Sequence, residues 1–258
     1  MLTVERQSII IDMIQKKGMV RVSDLTRIFA VSGMTIRRDL DSLEKVGILK
    51  KVYGGAIASK QSINENSKDI PISIRSIERI QEKRSIAQVA VSFITKDDAV
   101  LLDAGTTTLE IAKLLKDRSN LVLITNSIPA AYELAGSDVT LLIMGGQIRG
   151  SSHSIVGAKT NAFLSDLVVG TLFLAASGLS LEQGIMNSNL DESEVKRHMI
   201  KHSERVILVA DSSKFQSQSY HVFAQWSEID LFITDHELSD EHNTVLNQLG
   251  VQVIRVPV

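Results

Sequence analysis

The chain has 258 residues, 44% of them hydrophobic and 22% charged, which excludes a disordered or collagen-like polymer and leaves a globular protein of one or two domains. It contains no cysteine, so disulfide frameworks, thiolate metal sites, iron–sulfur clusters and cysteine nucleophiles are excluded, in keeping with a reducing cytoplasm. The net charge of −2 is unevenly spread: residues 1–60 hold 11 Lys/Arg against 6 Asp/Glu, a balance of +5, and the remainder carries −7, as a basic module for a polyanion joined to an acidic body would.

In the basic segment, Ile9, Ile10, Met13 and Ile14 recur at helical spacing behind Thr3 as a cap, and Gly18 stops the helix. Ser23 is the expected cap of a second helix, with Leu25, Ile28 and Phe29 on its buried side. After the connection Ala30-Val31-Ser32-Gly33, a third helix is predicted over 34–46 with Ile36, Leu40 and Leu43 on one face. Met34, Thr35, Arg38 and Lys45 project to the other side, and Arg37 lies on the flank. Gly47 ends this helix, and Lys50-Lys51-Val52-Tyr53 and Ala56-Ile57-Ala58 alternate around Gly54-Gly55 as a β-hairpin does. Helix, helix, turn, helix, hairpin is the order of a winged helix-turn-helix, predicted over residues 1–58.

Residues 59–70 are polar and read as a linker, closed by Pro71. From 71 to 258, apolar runs (99–102, 121–125, 139–143, 168–174, 206–210, 231–234, 251–256) alternate with helical stretches (about 75–94, 106–117, 128–136, 189–203, 239–249). That alternation predicts an α/β domain with a largely parallel sheet covered on both faces. No apolar run reaches the roughly 20 residues that cross a bilayer. The charged first eight residues do not form a secretory signal, so a cytoplasmic protein without a membrane partner is expected.

Thr35-Ile36-Arg37-Arg38-Asp39-Leu40 offers what a recognition helix needs: polar side chains at its start, and arginines that grip guanine or phosphate through paired hydrogen bonds. Its candidate DNA contacts are Ser32, Met34, Thr35, Arg37 and Arg38, with Lys50 and Lys51 of the hairpin reaching the flanking backbone. The competing reading makes Arg37, Arg38, Asp39 and Asp41 a solvated face with ion pairs inside the helix. The preceding helices, the turn, the hairpin and the local charge favour DNA.

In the second domain, Leu101-Leu102-Asp103-Ala104-Gly105-Thr106-Thr107-Thr108 is a strand end, a glycine turn and a helix start. Free amides and hydroxyls at such a turn meet phosphate oxygens, and Gly105 lets the backbone come close. Helix caps select the same residues. The string gains weight beside Thr125-Asn126, Gly145-Gly146 and Asp211-Ser212-Ser213-Lys214, which also follow apolar runs, because ligands of open α/β sheets collect at the carboxyl ends of strands. Asp103, Asn126 and Asp211 would face ligand hydroxyls, with Thr125, Gly145, Gly146 and Ser213 beside them, and Lys83 and Lys214 are the candidate cations. Glu192 and Lys196, four apart on a helix, read as an ordinary stabilising ion pair, and His198/His202, which lack the glutamate of a zinc motif, read as surface. No catalytic residue, metal or cofactor is expected.

Val31-Ser32-x-x-Thr35-Ile36-Arg37-Arg38-Asp39-Leu40, Leu43-Glu44-x-x-Gly47 and Tyr53-Gly54-Gly55-Ala56 resemble the DNA-binding end of DeoR-type bacterial regulators. The likeness continues through Glu82-Lys83, Ile86-Ala87, Asp103-x-Gly105-Thr106-Thr107-Thr108, Thr125-Asn126-Ser127, Gly145-Gly146 and Asp211-Ser212-Ser213-Lys214-Phe215. The resemblance implies a cytoplasmic, oligomeric repressor of sugar-catabolism genes, a dimer or tetramer. It also implies a C-terminal domain, similar to sugar-phosphate isomerases, that senses a phosphorylated sugar. Ser177 departs from the pattern, since many members carry an acidic residue before that glycine.

The expected protein is therefore a two-domain repressor that binds operator DNA through residues 1–58 and a sugar phosphate through residues 71–258. The rivals are a sugar-phosphate isomerase with an accessory DNA-binding domain, and an adaptor whose winged helix binds protein. Ser177 and the DNA-binding module count against the first, the basic helix against the second. One small winged helix offers few base contacts, so at least two copies on repeated half-sites are expected, joined through the α/β domain.

Overall fold

The structure, a computed structural model, describes residues 2–45, 47–59, 70–95, 99–217 and 219–258. It divides into two compact units, Met1–Ile80 and Gln81–Val258. Most of the expected linker, residues 60–69, and Val46, the expected end of the third helix, lie outside the described residues.

The first unit runs α1 (Thr3–Lys17), β1 (Met19–Arg21), α2 (Val22–Phe29), α3 (Gly33–Lys45), β2 (Leu49–Val52), β3 (Gly55–Ala58) and a short α4 (Ile72–Arg75). Ile10, Ile11, Ile14, Leu25, Phe29, Ile36, Leu40 and Leu43 close one core, and Ile74 and Ile77 pack against it from beyond Pro71. Burying each such side chain contributes about 1.5–3 kcal/mol. Sequence spacing misplaces one face and two caps. Ile9 is 40% exposed while Ile11 is fully buried, because three consecutive isoleucines leave the phase of α1 open until α3 packs on it. Ile28 is likewise exposed on α2. Leu2 and Arg21 hold the cap positions expected for Thr3 and Ser23, both in extended geometry. The hairpin gains a third strand, in the order β1-β3-β2. Gly55 is required there by close approach, since a Cβ would lie 2.1 Å from the Val20 carbonyl oxygen.

The second unit is built on seven parallel strands: β4 (Ala99–Leu102), β5 (Val122–Thr125), β6 (Thr140–Ile143), β9 (Val169–Leu174), β12 (Ser203–Val209), β14 (Leu231–Asp235) and β15 (Gln252–Val256). Alternate residues face opposite ways: Leu101, Leu172 and Leu208 enter one core, and Val100, Leu102, Phe173 and Ile207 the other. Burial on both faces explains why these strands read as continuous apolar runs. The helices α5 (Ile80–Ala90), α6 (Thr106–Leu114), α7 (Ile128–Leu134), α8 (Ala158–Phe163), α9 (Leu190–Lys201) and α10 (Asp240–Gln248) connect them. Two small antiparallel pieces accompany the sheet, β7 (Gln147–Arg149) with β8 (Ser154–Val156), and β10 (Gly178–Ser180), β11 (Gly184–Asn187) and β13 (His221–Ala224). The strand order is β15-β14-β12-β9-β4-β5-β6. The chain builds outward from β4 in one direction and then from β9 in the other, so the β4/β9 boundary is the topological switch point where open α/β sheets hold ligands. Among the described residues, no helix is long and apolar enough to cross a membrane.

Candidate functional site

On the first unit, α3 presents Ser32, Met34, Arg37 and Arg38 to solvent, with Thr35 half-buried. Ser32 caps the helix: its hydroxyl accepts the Thr35 amide at 3.1 Å and lies 2.9 Å from the Thr35 hydroxyl. Asp39, in the middle of the same motif, turns inward and is 2% exposed. Arg6 of α1 donates to it from Nε at 2.5 Å and Nη2 at 3.2 Å, and Gln7 adds a bond at 3.4 Å. The solvated-face reading is therefore wrong for Asp39, which fastens α1 to the recognition helix and leaves the arginines outward. The hydrogen bond to Asp39 raises the pKa of the Arg6 guanidinium further.

Lys50 and Lys51 are exposed on β2. The Lys51 ammonium is bound to Asp41 of α3, and the Lys51 amide donates to Glu44 at 2.8 Å. Lys51 thus ties the hairpin to α3, a role that spacing did not suggest. Beside it, Tyr53 at the hairpin tip is fully exposed.

In the second unit, parallel pairing brings Asp103, Asn126, Ala175 and Asp211 to one edge, each just past the carboxyl end of its strand. Asp103 is 1% exposed. Its Oδ2 accepts the Ala175 amide at 2.9 Å and an ammonium proton of Lys196, whose Nζ also donates to the Ala175 carbonyl at 3.0 Å. Lys196 therefore bridges the two strand ends of the switch point. Burial pushes the Asp103 carboxyl above its ordinary value, against the opposing pull of Lys196 and the Ala175 amide.

Glu192, one turn earlier on α9, does not form the expected ion pair with Lys196, which is bound to Asp103. It accepts Ser154 Oγ at 2.7 Å, Asn187 Nδ2 at 2.8 Å and Arg149 Nη1 at 3.4 Å. Burial alone would raise this carboxyl, but the bond from Ser152, the Lys196 charge and the bonds from Ser154 and Asn187 outweigh it and bring it to about 2. Ser177 joins the network, donating to Asn187 Oδ1 at 2.5 Å. Sequence spacing missed this network. The signal was phase: Lys196 falls beside the buried Val195 and three residues before the buried Met199.

The glycine–threonine turn opens α6 with Gly105 as cap and no side-chain cap bond, so its first-turn amides have no intrahelical acceptor. The Thr108 hydroxyl donates to the Asp103 and Gly105 carbonyls at 2.6 and 3.0 Å. Gly105 is fixed by packing, because a Cβ would lie 2.5 Å from that of Ala175. The Thr125 hydroxyl donates to the Leu102 carbonyl and accepts the Ser127 amide, tying β5 to β4 rather than reaching for a ligand. Asn126, 2% exposed, donates to the Ile155 carbonyl at 3.2 Å, and its Oδ1 has no partner among the described residues. Gly145 and Gly146 pack on α8: Gly145 accepts the Thr160 hydroxyl at 2.9 Å, and a Cβ on Gly146 (φ +157°) would lie 2.1 Å from it. Ser213 bonds to Asp211, and Lys214 lies 3.8 Å from the same carboxylate. Lys83 is buried on α5.

Two family models match this chain: "DeoR-like helix-turn-helix domain" over residues 6–62 and "DeoR C terminal sensor domain" over residues 78–236. It is 36% identical to a candidate aga operon transcriptional repressor of Escherichia coli O157:H7, over 98% of this chain and 94% of that one. It is 35% identical to the uncharacterised regulator YulB of Bacillus subtilis (100% and 98% covered) and 35% identical to the transcriptional repressor AccR of Agrobacterium fabrum (90% of each). A solved D-ribose-5-phosphate isomerase in complex with phospho-erythronic acid aligns with 51% of this chain and 52% of its own at a TM-score of 0.38 and 16% identity, too slight a likeness to bear on activity.

Proposed function

The chain belongs to the DeoR family of transcriptional regulators, and on that premise we propose that it represses carbohydrate-catabolism genes in the cytoplasm and leaves its operator when a phosphorylated sugar binds at the switch point. It is a DNA-binding regulator with a small-molecule sensor domain, not an enzyme. On the first unit, Arg37 and Arg38 read base edges or phosphates, Ser32, Met34 and Thr35 frame them, and Lys50 and Lys51 add backbone charge. Two or more copies bind together, because one small winged helix supplies too few base contacts for useful specificity.

The observation that carries the sensor reading is the uncapped first turn of α6 beside the buried Asp103–Lys196 pair, where the strand order reverses. The amides of Thr106, Thr107 and Thr108 suit a phosphate, with Lys83 and Lys214 as supporting cations. Asp103, Asn126 and Asp211 suit sugar hydroxyls. Binding shifts the conformational population toward a state with weaker operator affinity.

A thermal-shift screen of the full chain tests this, with sugar phosphates and the matching free sugars, each with and without operator DNA. A phosphorylated sugar at 100 times its Kd adds about 2.7 kcal/mol, a rise of about 5–10 °C, and should weaken operator binding. A free sugar that acts as strongly as its phosphate would remove the phosphate from the reading.

A further inference from the structure

Charge at the carboxyl ends of the strands is arranged in closed pairs. Lys196 is bound to Asp103, Arg149 lies 3.4 Å from Glu192, and Lys214 lies 3.8 Å from Asp211. Lys196 and Arg149 therefore contribute hydrogen-bond donors but no net positive charge, and Lys214, in the loosest of the three pairs, is the one that can support the phosphate. The ammonium of Lys196 has three protons, of which two go to Asp103 and the Ala175 carbonyl. The third has no hydrogen-bond partner among the described residues, where the Phe223 ring lies near, 5.5 Å from Nζ to its centroid, and it suits an uncharged hydroxyl or carbonyl oxygen. Asn126 Oδ1, buried and without a partner among the described residues, lies one register step beyond the Leu102–Thr125 pair, beside Asp103. It accepts only a donor, which a hydroxyl supplies and a second phosphate or carboxylate does not.

Resting on the sugar-phosphate reading above and narrowing it, we infer that the site takes a sugar carrying one phosphate on an otherwise uncharged body, and discriminates against bisphosphates and phosphorylated sugar acids. The first turn of α6 offers, at this edge, amides with no intrahelical acceptor and no side-chain cap among the described residues. A second anion on the sugar would meet the buried Asp103 and the half-buried Glu192, with Lys196 and Arg149 already neutralised. Like charges held together out of water repel strongly, so the second anion lowers affinity instead of raising it. Glu192 acts as a positioning residue: it holds Arg149 and balances the charge around Lys196.

Calorimetry on the full chain with matched probes tests the inference. Fructose 6-phosphate is compared with fructose 1,6-bisphosphate, tagatose 6-phosphate with tagatose 1,6-bisphosphate, and glucose 6-phosphate with 6-phosphogluconate. The expected result is that a monophosphate binds and its doubly anionic partner binds at least tenfold more weakly. Glu192→Gln, which releases the charge of Arg149, should narrow that ratio about tenfold. Arg149→Gln should widen it, which keeps the test decisive if Glu192→Gln fails to fold. A doubly anionic probe that binds as tightly as its monophosphate, or a ratio that neither variant moves, overturns the charge inference alone. If none of the six probes binds, the sugar-phosphate reading itself falls, and the inference with it.

Discussion

Each unit of the molecule holds a buried carboxylate against a buried cation, and the two pairs stand at very different places in their folds. Arg6–Asp39 lies inside the winged helix, 5% and 2% exposed, and joins α1 to α3 with every visible bond directed at its own unit. Lys196–Asp103 is as deeply buried but sits where two parallel strands end and the strand order reverses, next to an uncapped helix start. Burial and pairing are common to both, so neither argues for a binding role. Position at the switch point is what supports the one proposed for the second pair.

The largest effect expected from breaking this comparison is on stability. Asp39→Ala leaves Arg6 buried without its carboxylate and should cost about 3–5 kcal/mol, read as a lower urea midpoint for the first unit together with loss of operator binding. Arg6→Met with Asp39→Leu replaces the pair by apolar groups of similar size and should recover most of that stability along with DNA binding. A folded double variant that cannot bind operator would give the pair a part in DNA contact and erase the contrast.

Next comes acid stability of the sensor unit. Glu192 has a folded pKa of about 2 against an ordinary 4.5, so its contribution is complete above about pH 4.5 and drains away as the pH falls toward 2. A shift of that size corresponds to on the order of 3 kcal/mol. The urea midpoint of the parent should therefore fall more steeply with acid than that of Glu192→Gln, and parallel curves would refute the assignment.

Arg38→Ala should weaken operator binding by about 1–3 kcal/mol and relax the sequence preference at one position, with the melting curve unchanged. The smallest effects belong to the hairpin. Lys50→Ala should lower the salt dependence of binding by about one phosphate contact. Lys51→Ala should lower it less, because Asp41 and Glu44 already hold that ammonium. Equal slopes for the two lysines would mean that Lys51 leaves α3 to reach DNA.

The framework of both units was legible because it is written in periodicity. The runs at 99–102 and 231–234 became strands buried on both faces, and Ile36, Leu40 and Leu43 became the inner face of α3. The short strands at 147–149, 154–156, 178–180, 184–187 and 221–224 were not read, being too short for a period to emerge. Lys196 was misread as half of an ordinary ion pair and the inward turn of Asp39 was not foreseen, for one reason. Asp39 and Lys196 are polar residues on the buried faces of their helices, three after Ile36 and three before Met199, and a rule that places charge outside overrides that phase. Arg6 and Asp103, 33 and 93 residues away from them, make those placements tolerable, and no local pattern reports such partners.

The most direct test follows the anisotropy of a fluorescent operator duplex, selected on the full-length protein, as it is titrated with Lys196→Met/Asp103→Leu, with and without the sugar phosphate that releases the parent. The account predicts a folded variant with the parent's operator affinity that no longer lets go when the sugar phosphate is added. Release at the parent's ligand concentration would contradict it.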